Sequence, residues 1–333
     1  MSSSGSPILV LNRREVESVL DADRLRKAIA AAMVEVSAGR VSMPNRVAAV
    51  VSERDALLGV MPAYLPASAA LATKLVSLFP RNRDRPTHQA ILVCFDAETG
   101  TPTALMDATA ITAARTAAGS ALSVELLARD EARTLAIVGT GVQAVAHADA
   151  VMRVRPFERL VIAGRSLDAA DRLARTLEGT VPRVEATDRI EETVRGADVV
   201  CAATHADRPV VRWPSVRPGA HITSVGFNTQ GAGEVDRETV VRSALFVESR
   251  AAALAEPPAG AIEITRAIAD GAIDPSHVRA EIGEVAGGTA SGRRTEDEVT
   301  LYKSVGVAAQ DAAAAAFVLA EAERTGVGRE IEL

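Results

Sequence analysis

Between Thr134 and Ala150 the chain reads TLAIVGTGVQAVAHADA. An apolar run of strand-forming residues meets a glycine-broken turn, and a helical run follows. Gly139, Gly141 and Ala144 have the spacing GxGxxA. In such a turn the first glycine permits the tight reversal and the second lets the backbone approach a pyrophosphate. The small third residue allows close packing of helix on strand. The helix N-terminus then presents free N–H groups and a partial positive charge to the phosphates. The preceding strand and following helix separate this stretch from a chance GxGxxG. Gly139, Thr140, Gly141, Val142 and Gln143 are therefore candidate cofactor-binding residues.

The alternation continues on both sides of the turn. Strands are predicted over 134–138, 159–163, 181–185, 198–203, 221–225 and 244–248, with helices over 142–152, 168–177 and 189–195. Strands alternating with helices imply parallel βαβ units in a doubly wound sheet. The earlier part of the chain reads differently. ILVL (8–11) predicts a short strand, and Asn12 with Glu15 forms a capping box. Leu25, Ile29, Ala32, Met33 and Val36 mark one face of a helix over 23–38, which Gly39 ends. Then NRVAAVVS, ALLGVMPAYL, LATKLVSLF and QAILVCFDAETGTPTALMD follow without intervening helices, which predicts antiparallel pairing, with AETG as a hairpin turn. A long helix is predicted over 110–129 and an alanine-rich one over 304–326. The position of the last helix implies a return to the first domain. The predicted class is α/β: a Rossmann doubly wound domain over 126–304, and an α+β domain with an antiparallel sheet over 1–125 and 305–333.

Bulk properties narrow the partners. A net charge of −6 argues against nucleic acid and anionic membranes. The bland apolar run 312–320 is too short to span a bilayer and is flanked by Asp311 and Glu321. The first residues, MSSSGSP, lack the regions of a signal peptide. Cys94 and Cys201 lie far apart in apolar runs and read as buried free thiols in a reducing cytoplasm. There is no CxxC or HExxH, and the five histidines are scattered, so no metal site is expected.

Two features refine the chemistry. An NAD site usually ends its second strand on Asp or Glu, which binds the ribose 2′-hydroxyl. Here the strand ends LVIAGRS, with Gly164, Arg165 and Ser166. Arg165 is suited to a 2′-phosphate and Ser166 adds a hydroxyl, so NADP(H) is preferred over NAD(H), which stays possible. In the β-rich part, Arg46, Lys74 and Arg115 stand in apolar surroundings with no carboxylate at strand or helix spacing. A charge in such a context is costly unless paired. Each alone reads as a solvated cation; together they fit a substrate carboxylate.

MPAYL with Lys74 downstream, the segment 86–121, GTGVQA, ADVVCAAT, IGEV and TLYKSVGVAAQD together resemble the ornithine cyclodeaminase/μ-crystallin family over nearly the whole chain. The resemblance implies a homodimer. Its first domain and C-terminal helix would bind substrate and form the dimer interface, and its Rossmann domain would bind NAD(P). It assigns Arg46, Lys74 and Arg115 to the carboxylate of an amino or imino acid. Thr87 and Thr116 would lie near the cofactor, Ala203, Thr204, Val225 and Gly226 beside it at strand ends, and Ser304 and Val305 would close the site.

One loop departs from the cyclodeaminase pattern. In SVGFNTQGAGEVD, Asn228 stands where the cyclodeaminase and related alanine dehydrogenases have an Asp that handles protons. An amide does not titrate, so Asn228 orients water or substrate rather than exchanging protons. That spares hydride delivery to an existing C=N bond and points to the ketimine-reducing, μ-crystallin-like branch. Lys74 and Asn228 are the catalytic candidates. Two alternatives stay open: an ammonia-releasing cyclodeaminase or amino acid dehydrogenase with Lys74 or Asp107 as acid, and an NADPH-dependent small-molecule binder without turnover.

Overall fold

A computed structural model describes residues 7–226, 233–256 and 259–332. The chain forms two compact units, one of residues 1–115 with 307–333 and the other of residues 116–306.

The first unit opens with β1 (Ile8–Leu11), α1 (Arg13–Val19) and α2 (Ala22–Ser37). The Asn12 side chain accepts from the N–H groups of Arg14 and Glu15, and Glu15 accepts from Asn12 N–H, so the capping box forms. Helix α2 buries Leu25, Ile29, Ala32 and Met33, a helical stripe. Strands β2 (Val47–Val51), β3 (Ala56–Leu65), β4 (Ala70–Leu78), β5 (His88–Phe95) and β6 (Pro102–Asp107) then pair antiparallel in succession. Helix α3 (Ala108–Leu127) follows.

The second unit is built from β7 (Thr134–Val138), α4 (Val142–Met152), β8 (Arg159–Ala163), α5 (Leu167–Thr176), β9 (Arg183–Thr187), α6 (Ile190–Gly196), β10 (Val199–Ala202) and β11 (His221–Ser224). It continues through α7 (Arg237–Arg242), β12 (Ala244–Val247), α8 (Arg250–Ala253), α9 (Ile262–Ala269), β13 (Val278–Glu281), α10 (Ile282–Ala286) and β14 (Thr300–Lys303). The chain returns to the first unit as α11 (Ala308–Thr325) and β15 (Arg329–Ile331).

The seven-stranded sheet runs β15-β1-β6-β5-β4-β3-β2. It is mixed, because β1 lies parallel to β6. Helix α11 packs on α2, β3 and β4 through its alanine-rich surface. The eight-stranded sheet runs β13-β12-β14-β11-β10-β7-β8-β9 and is parallel at every pairing. Its strands are covered on both faces: Leu135 and Ile137 of β7 enter one core, Ala136 and Val138 the other. The strand order reverses at β7, since β8 lies on one side and β10 on the other. That switch point is where open α/β sheets bind ligands.

Two expectations are corrected. The strand expected over 181–185 lies at 183–187. The last helix begins at Ala308 rather than at 304, because TLYK pairs as β14 between β11 and β12. Among the described residues, no helix is long and apolar enough to cross a membrane, and no group of His, Cys, Asp and Glu is arranged to hold a metal. Cys94 and Cys201 are buried and unbridged, and burial pushes the Cys94 thiol up to about 12.

Three histidines are buried or half-buried in neutral form. Burial pushes His147 and His88 down to about 4 and His221 well below the usual value. A histidine whose folded pKa is depressed stabilises fully above its unfolded value, near 6.5, and loses that contribution as pH falls toward the folded one. Between about pH 7 and pH 5 each should forfeit about 2 kcal/mol. Chemical unfolding at the two pH values should show this loss, and His147→Gln should flatten the dependence by one histidine's share. An unchanged slope in that variant would disprove the assignment.

Candidate functional site

The glycine turn follows β7. Gly139 has φ +126°, and a Cβ there would lie 2.4 Å from the Ala203 carbonyl oxygen. Only glycine lets these two loops meet. Gly141 differs: nothing lies within 4 Å of a Cβ built on it. It is the N-cap of α4 and has no side chain to satisfy that helix's first N–H groups. Thr140 lies at the same turn, and Val142 is 59% exposed at the start of α4. The Gln143 Oε1 atom is buried and has no hydrogen-bond partner among the described residues. Open space at Gly141 and unsatisfied N–H groups fit the pyrophosphate of a dinucleotide, while the orphaned amide oxygen calls for a donor such as a ribose hydroxyl.

The first turn of α4 is held from behind. Nδ1 of His147 lies 2.7 Å from the Gln143 carbonyl, which only accepts, so Nδ1 carries the proton. Ser120 Oγ therefore donates to Nε2 at 2.9 Å, and Thr223 Oγ1 donates to Ser120 at 2.8 Å. The chain ties α4 to α3 and β11.

At the end of β8, a Cβ on Gly164 would sit 2.9 Å from Thr140 Cγ2. A carboxylate side chain at this position would press on the glycine turn. Arg165 and Ser166 are exposed, and Ser166 also caps α5 by accepting from Ala169 N–H at 3.3 Å. The two residues expected at a 2′-phosphate thus stand together at a helix N-terminus.

The ends of β10 and β11 are pinned by glutamates that local sequence reasoning missed. Glu234, 2% exposed, accepts from Thr204 N–H at 2.5 Å, Thr204 Oγ1 at 2.9 Å, Ser224 Oγ at 2.8 Å and Gly226 N–H at 2.6 Å. Glu263 accepts from Glu234 N–H at 3.0 Å and pairs with Lys303 at 3.0 Å. Lys303 donates to Ser224 Oγ and the Gly226 carbonyl. Glu248 accepts from Ser304 Oγ at 2.5 Å and the N–H groups of Val305 and Gly306. Ala203, Thr204, Gly226, Ser304 and Val305 are thus held at the strand ends, and Val225 N–H bonds the Ala202 carbonyl. The available signal was a carboxylate closing an apolar run, as in LFVE. Asn228 lies outside the described residues.

In the first unit, Lys74 and Arg115 come together on a carboxylate. Lys74 Nζ lies 2.7 Å from Asp311 Oδ2, and Arg115 Nε donates to Asp311 Oδ1 at 3.0 Å. The amide of Gln310 accepts from Arg115 Nη1 at 3.1 Å. The carboxylate that these cations lack at strand or helix spacing thus comes from a distant part of the chain. Asp311 is 196 positions from Arg115, so no local spacing reveals it. Burial pushes Lys74 down to about 8 against the pull of Asp311, and Arg115 and Arg46 add to the drop. Burial opposes ionisation of Asp311, yet Arg115 and Lys74 hold it below the usual carboxylate range. Arg46 is half-buried within electrostatic reach of Lys74. Thr87 is exposed, whereas Thr116 is buried in α3. Asp107, the alternative acid, accepts from Ala110 N–H and so caps α3.

A parallel doubly wound sheet with this turn at its switch point belongs to the dinucleotide-binding class of α/β proteins. The chain is a member of the ornithine cyclodeaminase/mu-crystallin family, whose model it matches over residues 8–326. It is 36% identical to the mouse ketimine reductase mu-crystallin over 282 residues, 84% of this chain and 85% of that protein. It superposes on the Thermococcus litoralis Delta(1)-pyrroline-2-carboxylate reductase in complex with NADH and L-proline with a TM-score of 0.91. That comparison has 33% identity and covers 97% of this chain and 100% of the other. An archaeal alanine dehydrogenase dimer with bound NAD gives a TM-score of 0.89 at 30% identity, covering 98% and 99% of the two chains.

The two glycines should respond differently to the same change. Gly139→Ala meets backbone in a strained conformation and should cost more than about 2 kcal/mol of stability. Gly141→Ala meets no protein atom and changes only a helix cap, so its unfolding transition should stay within about 1 kcal/mol of the parent while dinucleotide binding weakens. Thermal unfolding and nucleotide fluorescence titration distinguish these outcomes. Undiminished binding by Gly141→Ala would remove the phosphate from this turn.

Proposed function

We propose that the protein is an NAD(P)H-dependent oxidoreductase that reduces the C=N bond of a small, often cyclic, α-imino acid to the amino acid. The observation that carries this reading is the buried Lys74–Arg115 pair. Both cations share the carboxylate of Asp311, and Arg46 lies within electrostatic reach, a cationic site suited to a substrate carboxylate. The mouse and Thermococcus relatives, both named as reductases, support the direction.

Gly139, Thr140, Gly141, Val142 and Gln143 are the residues we assign to the pyrophosphate. Gly164, Arg165 and Ser166 would take the adenosine side, and Ala203, Thr204, Val225, Gly226 and Ser304 the nicotinamide side, with Thr87 and Thr116 near it. When bound, the reduced nicotinamide supplies a hydride to the imine carbon. Arg46, Lys74 and Arg115 hold the substrate carboxylate and fix the ring, which removes much of the entropic barrier. Val305 covers the substrate. Asn228 orients it through a neutral hydrogen bond, and an imine that arrives protonated needs no acid from the protein.

A homodimer is part of the reading. Val47, Val60, Leu75 and Ile91 stand side by side across β2 to β5, with Val47 64% and Ile91 46% exposed. An apolar sheet face of this kind suits a second copy of the same surface, and the alanine dehydrogenase relative is described as a dimer. Two buried, unbridged thiols support a cytoplasmic location.

The test is NADPH consumption with cyclic and open-chain α-imino acids, alongside ammonia release from ornithine and alanine. Reduction of imines at an enzymatic rate without ammonia release is expected. Ammonia release at such a rate would establish the deaminating alternative, and NADPH binding without turnover the binding-protein one.

NADPH preference rests on Gly164, Arg165 and Ser166. Loss of a charge-assisted hydrogen bond is worth about 1.5–3 kcal/mol, so Arg165→Ala should weaken NADPH roughly 10- to 100-fold while sparing NADH. Equal weakening of both, measured by fluorescence titration, would exclude a 2′-phosphate contact.

A further inference from the structure

We infer that Asp311 is a positioning residue for substrate capture: it presets Lys74 and Arg115 as one unit and keeps Lys74 in its ammonium form for an incoming imino-acid carboxylate. This rests on the functional reading above.

The geometry is a bridge. One oxygen of Asp311 takes Arg115 Nε and the other faces Lys74 Nζ, so a single carboxylate orients both cations. The carboxylate is itself only 1% exposed on α11, and Gln310 beside it holds a second nitrogen of Arg115. Among the described residues, the charged and titratable groups that act on or beside Lys74 come from four places in the fold. Asp311 stands on α11, Arg115 on α3, Arg46 before β2 and His88 at the start of β5. His88 is neutral at pH 7. Among the described residues, Asp311 is the carboxylate that acts on Lys74 and the two arginines are the cations beside it. Without Asp311 the buried Lys74 and Arg115 would lose their shared carboxylate, and the one able to shed a proton is Lys74, since arginine does not.

A purely structural role explains the triad poorly. Buried ion pairs add little net stability over apolar packing of the same volume. Helix α11 already packs through alanine on both sides of Asp311. An apolar residue there would dock the helix without taking three charges out of water.

The experiment compares the unmodified protein with Asp311→Asn and Asp311→Glu, all full-length and loaded with NADPH. L-proline binding is followed by calorimetry from about pH 6 to pH 10, beside the pH profile of imine reduction. In the unmodified protein, affinity should fall above about pH 8, where Lys74 loses its proton. In Asp311→Asn this limb should move down by about one unit or more, leaving roughly tenfold weaker binding near pH 9 and near-normal binding at the acid end. Asp311→Glu keeps the charge and should keep the limb near its original pH, even if the rate falls. NADPH binding should survive in both variants.

An unmoved limb in Asp311→Asn, or an equal shift in Asp311→Glu, overturns the inference. Tighter L-proline binding with an unmoved limb overturns it too, because Asp311 would then be a competitor for the cations. If Asp311→Asn does not fold, the glutamate variant and the titration of Lys74 in the unmodified protein, read by carbon-13 NMR of the lysine ε-carbon, decide. A Lys74 that has already lost its proton at neutral pH with Asp311 in place excludes the role. A protein that binds L-proline and reduces imines but shows no limb shift loses only the role of Asp311. One that does neither loses the functional reading as well.

Discussion

The buried ion cluster of Lys74, Arg115 and Asp311 is the constraint around which the first unit is organised. Each charge taken out of water costs several kcal/mol, and that cost is offset only when every partner is in place. The three come from β4, α3 and α11, segments far apart in the chain. Folding the unit therefore requires the C-terminal helix to return across the sheet. The alanine surface of α11 makes that approach possible, because small side chains let Asp311 reach Lys74 and Arg115. Stability and the charge state of the site are then one property.

The second unit solves a different problem with the same kind of group. Loops at the ends of parallel strands have backbone N–H groups that no strand partner can satisfy. Glu234 and Glu248 accept those hydrogen bonds, and Glu263, paired with Lys303, accepts from the N–H of Glu234. Carboxylates accepting several N–H bonds make stiff, specific anchors. Gly139 completes the arrangement by allowing the β7 loop to touch the Ala203 carbonyl. A cradle built in this way is shaped before any nucleotide arrives, which is what tight positioning of a reactive ring demands.

Much of this was legible residue by residue. The glycine turn, the β8 ending without a carboxylate, the capping box at Asn12 and the hairpin series all depend on contacts within a few residues, and local chemistry governs them. The elements that escaped notice share one cause. TLYK reads as the lead-in to a helix until β11 and β12 flank it as neighbours. The parallel place of β1 beside β6 depends on where the chain goes a hundred residues later. Glu234 and Glu248 look like ordinary surface acids until the strand ends gather around them.

Sequence alone determined the family, the α/β class, the dinucleotide turn and the three cations set apart in apolar surroundings. Those follow from periodicity, glycine geometry and the cost of an isolated charge, all of which act over short spans of chain. Only the tertiary structure decided what those cations face. Asp311 is 196 positions from Arg115, and its neighbours in sequence, Gln310 and a run of alanines, give no sign that it meets a lysine and an arginine. The physical reason is that a charge is balanced through space rather than along the chain, so the electrostatics of a buried site exist only once distant segments are packed together.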